Sequence, residues 1–443
     1  MGDIIRTTTA ELEELYRTTS GEAARIQLGP VPQSLAVTGS ARCRVVFVAR
    51  TPYYQILREA LHLRRLGYQV ILISLTPLSD AMRDVFGQTF EQIFQPMAGL
   101  EEPGDLLGSI RRLGADILHV QCWMLDYALA RLILENRGRA KCVCEFYDVT
   151  SVVAERDVLA SEWPPSLVDL DLHSEAYICR EADAIICRYP TAVADELRER
   201  HGGLTRFLEM YPYPCAEFHG GQQHLAEPMG SVPRLVYAGA ITPDNGLCPA
   251  HLHAEIHQLA TFERLLRQGL SLDVLIDPGA PVSPDHPSPG YEGYFDLVRR
   301  YPRYAIRNGC APGLLAQILS RYDFGVVNLT TFDLATLRVR PSLRKYAVGT
   351  KLFTYLESGL PVLVYAEYEQ MAAIVSDHGL GLVLHSAELD NVAEKIRVFD
   401  YRRAVDNVRR FNEEHAMSRE ISRLTSLYHD LLGTTAPGAL AAT

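Results

Sequence analysis

The stretch YAVGTKLFTYLESGLPVLVY, residues 346–365, decides how the rest of the chain is read. Gly349 and Thr350 open a short helix that carries Lys351 in its first turn and stops at Gly359, after which Pro361 leads into the apolar run Val362, Leu363, Val364, Tyr365. Gly followed by Pro is a common way for a helix to end before a buried strand. A helix N-terminus presents unpaired backbone N–H groups and a partial positive charge, so a lysine there makes a seat for a phosphate or diphosphate. The same spacing also fits an ordinary helix–strand unit with Lys351 merely solvated. Spacing alone leaves both readings open.

Outward from this stretch, the chain of 443 residues has room for two or three domains with ample cores. Its 47% hydrophobic and 22% charged residues are those of an ordinary globular protein. A formal charge of −11 argues against a general nucleic-acid binder, whose affinity comes from Lys and Arg on phosphates, but leaves room for a local basic pocket. The nine cysteines lack any C-x-x-C spacing and read as reduced thiols of a cytosolic protein. The N-terminus lacks a basic region followed by an apolar core, so no secretory signal is expected. The apolar stretch 117–134 is interrupted by His119, Gln121 and Asp126 and does not read as a membrane span. The expectation is a cytoplasmic protein without a transmembrane segment, whose membrane contact, where it has one, is peripheral.

Short apolar strands alternate with amphipathic helices along most of the chain. Strands are expected at 43–49, 69–74, 116–121, 141–148 and 184–187, with helices at 55–65, 105–113 and 171–181 between them. Helical crossovers imply parallel pairing, and repeated alternation implies a doubly wound sheet. A YPYP turn at 211–214 and a polar linker at 220–232 close this domain. The alternation then restarts with strands at 234–238, 271–276, 324–329, 362–365 and 381–384 and helices at 253–267 and 312–320. Helices at 389–401 and 402–432, the latter with a break near Met417, end the pattern. The fold class is α/β, with two Rossmann-like doubly wound domains facing across a cleft. The divisions are an N-terminal extension (1–41), a first domain (42–218), a second domain (232–400) and C-terminal helices (401–432). Neither half has G-x-G-x-x-G after its first strand, which disfavours a dinucleotide oxidoreductase.

Lys351, Phe353, Tyr355, Leu356, Gly359, Pro361 and Val362 resemble the K-x-F-E-Y-L-x-x-G-x-P-V segment of GT-B nucleotide-sugar-dependent glycosyltransferases, family 4 in particular. YAG at 237–239 and YDFGVV at 322–327 extend the resemblance. It implies that 42–218 is an N-terminal acceptor domain, that 232–400 is a C-terminal nucleotide-sugar domain whose helix faces the nucleotide of the donor, and that the helices 401–432 pack back on the first domain. The family's two motif acids fall at Tyr346 and Thr354, so its pair of glutamates is missing here. The Arg and Lys usual in the loop after the first strand of the nucleotide domain are also missing from ITPDNG, residues 241–246.

Candidate site residues follow from this resemblance and from the chemistry. Sugar transfer requires stabilisation of charge growing on a diphosphate leaving group, by cations and backbone donors already aimed at it. Lys351 is the first choice. Arg344, in the basic segment LRVRPSLRKY with Arg338, Arg340 and Lys345, is the second, the alternative being a solvated charged loop. Gly239, Thr354 and Tyr355 complete the expected donor contacts. Asp148, in EFYDVTS, stands where the family has the Asp of a His-Asp pair. It is read as a base for the acceptor or a donor-hydroxyl ligand, and otherwise as a helix cap. His119 in ILHVQ reads as a satisfied core residue. His251, His253 and His257 are a local cluster for which no metal is expected. The loop 285–296 reads either as a flap over the donor or as a surface excursion.

The expected activity is transfer of a hexosyl group from a nucleoside-diphosphate sugar to an acceptor nucleophile, with no cofactor and no obligatory metal. Its setting would be cell-envelope glycan or secondary-metabolite biosynthesis. The resemblance carries retention of configuration, with inversion open. Two other classes remain: a GT-B-like binding or scaffold protein without catalysis, and a sugar-nucleotide epimerase on the same fold.

Overall fold

The run RVVFVA forms β1 (Arg44–Ala49) with every residue buried, as a strand covered on both faces by helices requires. The computed structural model describes residues 43–95, 106–218, 229–242, 251–252, 256–276, 289–310, 312–331 and 336–434. The expected extension 1–41 lies outside these residues. By its contacts the chain divides into two units, the second running Tyr213–Ala416 and the first taking the residues before it together with those from Met417 onward.

In the first unit, β1 is joined by β2 (Gln69–Ser74), β3 (Gln92–Phe94), β4 (Ile117–Cys122), β5 (Lys141–Phe146), β6 (Ala184–Cys187) and β7 (Phe207–Glu209). All pairings are parallel and the order is β3-β2-β1-β4-β5-β6-β7. The order reverses between β1 and β4, the switch point beside which open α/β sheets bind their ligands. The helix Tyr54–Arg65 crosses from β1 to β2 and buries Ile56, Leu57, Ala60 and Leu63 along one face. Against it packs the last helix, Met417–Leu432, through Met417, Ile421, Leu424 and Tyr428, a stripe at helical spacing.

The second unit repeats the plan with β8 (Arg234–Ala238), β9 (Ser271–Ile276), β10 (Tyr304–Asn308), β11 (Phe324–Val327), β12 (Val362–Tyr365) and β13 (Gly381–Leu384). The parallel order is β10-β9-β8-β11-β12-β13, with its switch point between β8 and β11. The helix Thr350–Glu357 precedes β12 and buries Leu352, Phe353, Tyr355 and Leu356.

Two doubly wound parallel sheets therefore match the expected fold class. Three local readings are corrected. The second half of the loop 285–296 is a helix, Glu292–Arg300, because Tyr294, Phe295 and Leu297 form a buried face at helical spacing; residues 285–288 lie outside the described ones. The basic segment before Lys351 is not a loop throughout, since Pro341 starts a helix, Pro341–Tyr346, in the first-turn position where its missing N–H costs nothing. The helices expected together at 401–432 separate: Tyr401–Glu414 belongs to the second unit and packs on the helix Thr350–Glu357, while Met417–Leu432 belongs to the first.

Candidate active site

β8 ends at Ala238, and Gly239 follows with φ +148°, a conformation that side-chain-bearing residues rarely adopt. Its N–H donates to the Leu275 carbonyl at 3.0 Å, which holds the turn against β9. A Cβ on Gly239 would overlap Cε of Lys351 and lie 3.1 Å from its Nζ. The lysine side chain thus occupies the space left by the missing side chain. Its Nζ also sits over the Tyr237 ring, 5.3 Å from the centroid, where a cation is attracted to the π face.

Lys351 stands in the first turn of the helix Thr350–Glu357, whose N-cap is Gly349, with no side-chain cap. Cation and helix N-terminus converge near the carboxyl end of β8, beside the switch point. This arrangement suits an anion whose charge grows during reaction.

Tyr355 locks the arrangement. Its ring lies against Gly325 in β11, where any Cβ would overlap it, and its hydroxyl accepts the Ala238 N–H at 2.7 Å. The residue is fully buried, and burial raises its phenol well above the ordinary range. Expected on the donor, Tyr355 instead ties the end of β8 to the lysine-bearing helix. Thr354, expected on the ribose, donates its hydroxyl to the Thr350 carbonyl at 3.1 Å within its own helix. A back-bonded threonine is satisfied locally. Arg344 lies in the helix Pro341–Tyr346, half-buried, with its Nε lacking a hydrogen-bond partner. A buried guanidinium N–H of this kind calls for an acceptor.

Asp148 belongs to the first unit, just past β5. It does not cap the helix Thr150–Val153, whose N-cap is Val149. Its Oδ1 pairs with Arg188 Nη2 at 2.5 Å, and the guanidinium also lies over the Tyr147 ring, 4.0 Å from the centroid. The carboxylate is a third exposed. Of the histidine cluster, His253 lies outside the described residues; His251 and His257 belong to no group of three metal-capable side chains among the described residues.

Sequence reasoning passed over a second constellation. Glu59, His119 and Glu145 meet inside the first unit, each at most 1% exposed. His119 Nε2 lies 3.3 Å from Glu145 Oε2 and 3.7 Å from Glu59 Oε2. These separations suggest ion pairs, yet burial pushes both carboxyls up to about 8 and the imidazole down, so the enclosed groups favour their neutral forms. The electrostatics outweigh the distances here, because a buried ion pair must first overcome desolvation. The signal was available: Glu145 is an acid inside the apolar strand KCVCEF, and Glu59 shares a helix face with Ile56 and Leu63.

Residues 303–419 match the family model described as Glucosyltransferase 3-like, C-terminal domain. No curated protein matches the chain. Among solved structures, sucrose-phosphate synthase from Thermosynechococcus elongatus aligns with a TM-score of 0.53 at 14% identity, over 87% of this chain and 98% of that one. S. aureus MnaA, in a co-structure with UDP, aligns with a TM-score of 0.50 at 11% identity, over 89% of this chain and 99% of that one. Among the described residues, no helix is long and apolar enough to cross a membrane. The chain is of the GT-B fold, and its residues 303–419, which include Arg344 and Lys351, match the glucosyltransferase 3-like C-terminal domain.

Proposed function

We propose that the chain is a glycosyltransferase that moves a hexosyl group from a nucleoside-diphosphate sugar to an acceptor nucleophile. The observation that carries this reading is the Lys351 ammonium, held against Gly239 at the N-terminus of the helix Thr350–Glu357. A preorganised cation and helix end suit a diphosphate that gains charge as the glycosidic bond breaks. The family match over 303–419 and the UDP bound to MnaA support the same donor class.

In this reading Lys351 and Arg344 bind the diphosphate, and Gly239 serves the donor by leaving the room in which the Lys351 side chain lies. Tyr355 and Thr354 act as positioning residues rather than as ligands. The charge is met by side chains and backbone, so no cation is required at the diphosphate. Asp148, with one oxygen committed to Arg188, orients an acceptor or sugar hydroxyl with the other. Retention of configuration is the stereochemical outcome we favour, and cell-envelope glycan or secondary-metabolite synthesis the setting.

One observation favours a second reading, a binding protein without transfer activity. At the position of the family's ribose acid stands Thr354, whose hydroxyl is spent within its own helix. Calorimetry with UDP, GDP, dTDP and CMP, with and without EDTA, separates the two when followed by an acceptor screen. Selective binding of one nucleoside diphosphate with sugar transfer supports the enzyme; binding without hydrolysis or transfer supports the second reading. Lys351→Ala is expected to lower turnover by about 100-fold, the order lost with one preorganised donor to a growing anion, and to weaken nucleoside-diphosphate binding, while the melting midpoint stays in place. Unchanged affinity and turnover would remove Lys351 from the site.

A further inference from the structure

The three side chains inside the first unit come from three different elements. Glu59 is on the helix Tyr54–Arg65, His119 on β4 and Glu145 on β5. In the β4–β5 register Gln121 stands beside Glu145, so His119, two residues before Gln121, shares its side of the sheet. Glu59 Oε2, His119 Nε2 and both oxygens of Glu145 are buried without a hydrogen-bond partner. Native proteins seldom leave such atoms unanswered, and a cluster of them in one enclosed place calls for a further group.

The geometry says which. Ligand atoms bound at ~2.0–2.2 Å lie ~3.3–3.6 Å from one another around a tetrahedral first-row ion and ~2.8–3.1 Å between neighbours around an octahedral one. His119 Nε2 is 3.3 Å from one carboxylate oxygen and 3.7 Å from the other, and one ligand atom from each residue falls within 4.8 Å of the rest. The outer contacts are those of a ligand shell. His119 Nδ1 meets the Tyr428 hydroxyl at 2.7 Å, and its ring stacks on Phe47 with centroids 4.6 Å apart. With Nδ1 carrying the proton toward Tyr428, Nε2 keeps a lone pair for a cation. Gln55 Nε2 donates to Glu59 Oε1 at 3.2 Å, which leaves Oε2 as the ligand oxygen. Binding of a dication displaces the protons of the two carboxyls, and the resulting carboxylates balance its charge, which answers the desolvation of all three groups at once.

We propose that Glu59, His119 and Glu145 bind one divalent first-row transition cation, of the zinc or manganese class, inside the first unit. A nitrogen ligand with only two carboxylates disfavours calcium and magnesium, which prefer more numerous oxygens. Full burial makes the role structural. The ion joins the helix Tyr54–Arg65 to the centre of the sheet and takes no part in the donor chemistry proposed above.

The test uses the full chain. Protein stripped of metal by refolding from denaturant with chelator is titrated with Co²⁺, then with Zn²⁺, and its melting midpoint is followed. We expect one Co²⁺ per chain with visible d–d absorption, displacement by Zn²⁺, and a higher midpoint with either ion. Glu145→Gln, nearly isosteric, is expected to weaken Co²⁺ binding by at least ~100-fold, above the loss typical of an outer-shell change. If that variant does not fold, the wild-type spectrum decides between ligands. Oxygen and nitrogen ligation supports the site, and a strong near-ultraviolet thiolate band assigns the ion to a cysteine and overturns it. Absence of Co²⁺ absorption and an unmoved midpoint at millimolar Co²⁺, Zn²⁺ and Mn²⁺ also overturns it. Nucleoside-diphosphate affinity measured on the same samples keeps this outcome separate from that of the donor reading.

Discussion

The two units share one architecture and treat buried charge in opposite ways. In the second, the buried acids among the described residues are answered by ordinary donors. Asp323 accepts the Arg234 N–H at 2.7 Å and meets its guanidinium at 3.2 Å, and Glu357 accepts the Cys215 N–H at 2.8 Å. The first unit also holds a well-answered acid, Asp171, which accepts from Leu125 N, Tyr127 N and Thr150 Oγ1 at 2.6–2.9 Å. Glu59 and Glu145 are different, because their unanswered oxygens share one enclosed space with His119. The second unit keeps its notable cation, Lys351, only half-buried at the end of a strand. One sheet thus has polar chemistry at the carboxyl ends of its strands, and the other has it among its strands. A GT-B sheet tolerates either, provided helices cover the faces and each enclosed polar atom is satisfied.

That contrast can be broken first at the helix Met417–Leu432. Leu424 is fully buried against the first unit, so Leu424→Ala should cost about 3 kcal/mol, the usual result of truncating a core leucine. Hydrogen exchange should then show β1 and the helix Tyr54–Arg65 losing protection while β8 to β13 keep theirs. Equal loss in both sheets would mean that the units do not respond separately.

A smaller effect is expected at the carboxyl end of β8. Gly239→Ala forces a Cβ into a positive-φ position and against the lysine side chain. It should cost about 1–2 kcal/mol in stability. Displacement of the Lys351 ammonium should lower nucleoside-diphosphate affinity about tenfold, equivalent to ~1.4 kcal/mol. Full affinity in this variant would show that the ammonium does not depend on the glycine's missing atom.

The mildest test is acid. His378, in the helix Glu369–His378, has its proton affinity lowered by burial and then by neighbouring His415. The folded chain therefore binds this proton more weakly than the unfolded chain, whose imidazole titrates near ~6.5. Stability contributed by the neutral ring is present above that range and is lost as pH falls through it toward the lower folded value. Urea unfolding of the second unit should weaken gently below about pH 6.5. His378→Gln should flatten the slope, and a slope unchanged in the variant would place the titration elsewhere.

Much of this fold was legible because buried parallel strands read as apolar runs. The expected strands 69–74, 184–187, 234–238, 271–276, 362–365 and 381–384 are the observed β2, β6, β8, β9, β12 and β13. The helix Glu292–Arg300 was obscured by the Pro- and Gly-containing sequence that precedes it. At the site, Lys351 could be found because helix position and motif spacing are both local in sequence. What Tyr355 does was hidden, since its hydroxyl partner, Ala238, is far away in the chain and is a backbone group that no motif names. Asp148 drew attention as the acid at a strand end, while Glu145, inside the strand, carried the stronger anomaly.

The Tyr428 hydroxyl that holds His119 has a consequence for how the molecule is made. Synthesis delivers β1 to β7 early, but the helix that carries Tyr428 only after the entire second unit. Until then the apolar groove along Tyr54–Arg65 is open and the His119 ring lacks the partner that fixes its tautomer. The first lobe to leave the ribosome is therefore the last to be completed, and shielding its uncovered face during elongation becomes a task for chaperones.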